Sequence, residues 1–102
     1  MTRGFIETKY AETVAELNAE RASAMARLGQ RVADGHARYI AAAEALEATP
    51  GDDDVAQRHR HAAHEFRDLR WEMTVHRESL GLYDHRWVDR TYPLAARDRL
   101  VR

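Results

Sequence analysis

Five of the six histidines fall between His59 and His85, interleaved with acids. On a helix advancing ~100° per residue, His61, Glu65, Asp68, Glu72 and His76 share an arc of about 80°. The pairs His61/Glu65 and Glu72/His76 are each four residues apart, a spacing at which two side chains can share one ion. Bundles that place Glu and His on facing helices hold metals in this general manner. The candidate metal ligands are therefore His61, Glu65, Glu72 and His76, and the implied cofactor is a divalent metal such as iron or zinc.

Three observations weigh against that chemistry. The Glu-x-x-His spacing of di-metal carboxylate bundles is missing, and the two pairs lie about 16 Å apart along the helix. The facing helix offers little beyond His36 as a further ligand. A solvated acidic edge balanced by Arg58, Arg67, Arg70 and Arg77 accounts for the same residues, and predicts no bound cofactor. His59 and His76 sit instead at positions that read as core. Buried there, they would resist protonation, so acid is expected to loosen the fold.

Other reactive arrangements are scarce. Cysteine is absent, which removes disulfides, thiolate catalysis and thiolate metal sites together. There is no glycine-rich phosphate loop and no Gly-x-Ser-x-Gly elbow, and Ser23 and Ser79 lie in no recognisable nucleophile setting. Arg86 to Arg102 carries five Arg against two Asp, with Trp87 and Tyr92 interleaved. That segment has the makings of a nucleic-acid contact, but core packing explains the aromatics better, and a formal net charge of −1 supplies no attracting field. A non-enzymatic chain is the expectation.

These residues need helices to position them. In 102 residues Pro and Gly are few, Ala, Glu and Arg are abundant, and no alternating Val/Ile/Thr run reads as a strand. Lys9 is the sole lysine, so nearly all positive charge is Arg, as GC-rich coding favours. The start lacks the apolar core of a signal peptide and no run approaches membrane-spanning length, which predicts a cytoplasmic, soluble protein with no membrane partner.

The spacing predicts one helix over 5–48. Its bulky stripe, Ile6, Tyr10, Val14, Leu17, Arg21, Met25, Leu28, Val32, His36, Tyr39, Ala43 and Leu46, steps four, four, three and stays on one face. A neighbouring stripe is small, and includes Ala22, Ala26, Gly29 and Ala33. Gly29 lies where tight helix contact could offset its low propensity, whereas Gly35 marks the expected kink or break. Thr49-Pro50-Gly51-Asp52 ends this helix. The next, about 53–80, starts from either a Thr49 cap with Pro50 following or an Asp54/Gln57 capping box.

The second helix has the seam Val55, His59, Ala62, Phe66, Leu69, Met73, His76 and Leu80. Folded back antiparallel, it sets Leu46 against Val55, Tyr39 against Ala62, Val32 against Leu69 and Leu28 against Met73. Gly81 is the expected C-terminal cap in a Schellman ending. A short helix over about 84–92 should follow, capped by Asp84 with Tyr83 and Val88 as a hydrophobic staple, and 95–102 should fray.

The fold expected is all-α: a single helical-hairpin domain over 1–102, with a short third C-terminal helix. Because the second helix is shorter, residues 6 to about 20 overhang, and the third helix is the expected cover, in cis or swapped from a partner. Trp71, with Val75 nearby, points away from the seam and reads as a contact surface. The interaction surface expected is Trp71, Val75, Trp87 and the small face Ala22, Ala26, Gly29 and Ala33. The expected partner is a second copy, giving a homodimeric four-helix bundle, or another helical protein. In length the hairpin resembles the small effectors of type VII secretion. Their Trp-x-Gly turn is replaced by Thr49-Pro50-Gly51-Asp52 and their C-terminal Tyr-x-x-x-acid signal is absent, so no family is assigned.

Overall fold

The computed structural model describes residues 3–99. Four helices follow one another: α1 (Arg3–Ala48), α2 (Asp53–Ser79), α3 (Arg86–Thr91) and α4 (Ala96–Arg99). The 46-residue α1 should span roughly 69 Å at ~1.5 Å per residue, which matches the 74 Å long axis of the molecule. The antiparallel α1/α2 hairpin forms as its two stripes require. Phe66, Leu69 and Met73 of α2 are buried with Leu28, Val32 and Tyr39 of α1. Arg31 reaches Glu72 and Arg38 reaches Glu65 across the hairpin, fixing the register within about a turn of that expected.

The caps are partly those expected. Neither proposed start of α2 is used. Asp52 is its N-cap, accepting from the Asp54 and Val55 amides at 2.9 and 3.2 Å. Asp53 and Asp54 then occupy the first turn, where the helix dipole favours acids. Thr49 instead finishes α1, its hydroxyl donating to the Ala45 carbonyl at 2.9 Å. At the far end the Leu82 amide donates to the Arg77 carbonyl and the Gly81 amide to that of Glu78, the Schellman pair, with Gly81 at φ 82°.

The two glycines of α1 exchange their expected roles. The helix runs through Gly35 without a break, and a Cβ there would stand 2.5 Å from Leu69 Cδ1. Glycine at this position leaves room for the Leu69 side chain, which a Cβ would force to shift. A Cβ on Gly29 would meet nothing within 4 Å, so the tight contact expected there is not made within this chain. Gly29→Ala should raise stability by up to about 1 kcal/mol through propensity. Gly35→Ala should lower it by about 1 kcal/mol, since overpacking at Leu69 costs roughly 1–3 kcal/mol against the same propensity gain. Urea midpoints of the two variants moving in the same direction would contradict these opposite roles.

The C-terminal segment departs most from expectation. Gly81 reverses the chain, so it runs back along the hairpin and away from the overhang that it was expected to cover. Arg77 donates to the Asp84 carbonyl, and Arg70 pairs with Asp89 at 2.6 Å. Tyr83 is exposed and forms no staple. Asp84 lies one position before the α3 N-cap, His85, and accepts from the Arg86 amide and guanidinium. Those bonds hold its carboxyl well below the usual carboxylate range. Beyond Pro93 the chain does not fray over the described residues: Leu94 and Asp98 are buried and α4 forms. Residues 100–102 of the predicted tail lie outside the described residues.

Candidate functional site

Two features stand out, one sealed inside and one left open. The sealed feature is a polar junction of α1, α2 and α4. Tyr39, His59 and Asp98 are 4, 5 and 4% exposed, so none has free access to solvent. The Tyr39 hydroxyl donates to Asp98 Oδ2 and accepts from the Ala95 amide at 3.2 Å. His59 Nε2 stands 3.7 Å from the same Asp98 oxygen. Arg97 Nε lies 3.6 Å from it, and Arg67 donates to the Asp98 main-chain carbonyl at 3.4 Å. The histidine expected as a bare core residue therefore faces a carboxylate.

Aromatic rings carry this junction along the hairpin. Tyr39 stacks on Phe66 with centroids 5.2 Å apart, Phe66 contacts His36, and His36 meets the edge of Tyr92 at 5.6 Å. Tyr92 meets Trp87 edge-on at 6.0 Å, and Arg77 covers the Trp87 ring. The ladder binds the C-terminal segment to both long helices.

The expected metal ligands are distributed differently. Glu72 accepts two hydrogen bonds from Arg31, at 3.0 and 3.2 Å. Glu65 accepts from Arg38 at 2.7 Å. His61 is exposed, and His76 is half-buried with Nε2 unpartnered in the interior. Both carboxylates of the proposed pairs are thus engaged by cations of α1. Among the described residues no group of three or more His, Asp or Glu is placed to hold a metal ion.

The open feature is the overhang. Ile6, Tyr10, Val14 and Leu17 are 60, 73, 38 and 48% exposed, although Leu28, Val32 and Tyr39 on the same stripe are buried. The small face is uncovered too: Ala22 and Ala26 are exposed, and Gly29 and Ala33 half-buried. Trp71, 69% exposed, borders a shallow cavity of about 300 Å³ with Arg67, Arg70, Leu94 and Arg99. The C-terminal segment passes beside Trp71 without covering it, and Val75 and Trp87 also stay largely exposed. No described helix is long and apolar enough to cross a membrane.

Asp98 is the buried polar residue that sequence reasoning missed. Its signal was the spacing of Leu94 and Asp98, four apart after a proline, set against a histidine in an apolar seam with no partner of its own. No family model, curated protein or solved structure matches the chain.

Proposed function

We propose that this chain is a non-enzymatic helical interaction module that self-associates through the N-terminal half of α1. One observation carries the reading: one mainly apolar stripe of α1 is covered over its second half and exposed over its first. A helix segment of this length is marginal in water by itself, because most helical stability in proteins comes from packing an apolar face. Contiguous exposed apolar side chains of this kind mark contact surfaces. The occupant with a matching stripe is a second copy, and two chains joined this way form an assembly of four long helices.

The metal-binding alternative is weaker, since Arg31 and Arg38 already neutralise Glu72 and Glu65. The Tyr39–His59–Asp98 junction supports a positioning role, because its groups are shielded from any diffusing substrate.

Light scattering over a dilution series tests the reading. The mass should rise with concentration from the 11.7 kDa of one chain toward twice that value. Val14→Glu and Leu17→Glu should each hold it at one chain mass while leaving the α1/α2 hairpin as stable as in dilute wild type. A wild type that stays monomeric up to about 1 mM, where even ~4 kcal/mol of association would register, would sink self-association and leave the face to a different helical protein.

A further inference from the structure

We infer that the two overhangs pair antiparallel about a twofold axis, with Ile6 of one copy over Leu17 of the other and Tyr10 over Val14. The inference rests on the self-association proposed above. It follows from where the exposed stripe leads. Beyond Met25 the same face of α1 passes under α2, where Leu28 and Val32 are buried. A parallel partner helix laid on the overhang would continue along that face for the rest of its 46 residues and run into α2. An antiparallel partner meets no such obstruction. It runs the other way, so that its own hairpin is carried away from the first copy's α2.

The register follows from matching apolar layers. Setting Tyr10 opposite Val14 brings Ile6 opposite Leu17 and, by the twofold, repeats both layers on the other side of the axis. All four exposed stripe residues of each copy then face one another. Residue 3 of the partner falls opposite about residue 21, one turn before the half-buried Met25 where α2 begins to cover α1. Sliding the partner one further layer toward the hairpin would drive its first turn against the last turn of α2. Sliding it back would leave Leu17 uncovered.

Flanking residues agree with this arrangement. Lys9 and Glu16 lie on the same flank of the stripe, so each Lys9 faces the other copy's Glu16, twice by symmetry. Lys9 pairs with the exposed Glu12 at 3.5 Å and stacks over Phe5, contacts easily exchanged at the surface. The opposite flank offers Ala11 and Ala15, which permit close approach of the two backbones. Partner recognition is therefore that of an isologous interface, one patch meeting itself.

The absence of native cysteine makes a direct test available. Chains carrying Ile6→Cys and Leu17→Cys are mixed at a concentration where light scattering gives a dimer, then treated with a short bis-maleimide. The mixture should yield a covalent dimer several-fold in excess of that from either variant alone. Efficient linking of Ile6→Cys to itself would overturn the antiparallel orientation while leaving self-association intact. No link in any combination, with the dimer still present, would overturn the use of this stripe. If Cys at these positions abolishes the dimer, the pair Lys9→Cys and Glu16→Cys on the flank gives the same readout.

Discussion

Phe66→Ala should destabilise the fold by about 3–5 kcal/mol, the range for removing a fully buried aromatic side chain. Phe66 is 0% exposed and stands where α2 meets α1, stacked between Tyr39 and His36, each with its ring centroid 5.2 Å away. Its loss opens a void that neither ring can fill without leaving the C-terminal segment unsupported. With domain stabilities of roughly 5–15 kcal/mol, the variant would retain a fold with much of its margin gone. Leu17→Ala, an equally apolar truncation on the overhang, should move the urea midpoint of dilute monomer by less than about 0.5 kcal/mol. Equal costs at the two positions would mean that the core extends over the overhang.

Asp98→Ala should cost about 2–3 kcal/mol. It leaves the buried Tyr39 hydroxyl without its acceptor and takes away the carboxylate 3.7 Å from His59 Nε2, and one unsatisfied buried group carries a penalty of about 1–3 kcal/mol. Tyr39→Phe should cost less, since the Asp98 carboxylate keeps Arg97 and His59 beside it and only the Ala95 amide loses its acceptor. The double variant should fall short of the sum of the two singles by about 1 kcal/mol or more, the mark of side chains in direct contact. Additive costs would show that the bond contributes nothing.

The same junction has an alkaline signature. Burial, and then the bond to Asp98, push the Tyr39 phenol above its ordinary value of 10.0, so the fold holds the neutral form. That contribution is fully present below pH 10 and is lost as pH rises through the raised folded value. Tyr39→Phe should flatten this part of the stability profile.

The hairpin was readable because two long periodic faces specify each other. The same register that sets Leu28 against Met73 brings Arg31 near Glu72 and Arg38 near Glu65. The ion pairs occupying the proposed metal ligands were therefore legible from residues already aligned. The glycines were not: whether a Cβ is tolerated depends on Leu69, thirty-four positions beyond Gly35, and helix propensity treats Gly29 and Gly35 alike. Three consecutive acids at the α2 start carry similar capping and dipole preferences, and only the turn geometry selects Asp52. The C-terminal segment was least legible. Its arginines read as a frayed tail, and its anchors are one leucine, one aspartate and a tyrosine edge that acquire meaning only against the groove between α1 and α2.

Whether a second copy holds the first half of α1 can be read from amide hydrogen exchange as a function of concentration. A lone helical overhang opens readily, whereas a packed one is protected. Amides of residues 6–21 should exchange rapidly in dilute protein and slow by at least tenfold as the mass approaches twice 11.7 kDa, while those of residues 28–46 remain unchanged. Rapid exchange over residues 6–21 at every concentration, with the mass doubling all the same, would place the interface elsewhere and contradict the account.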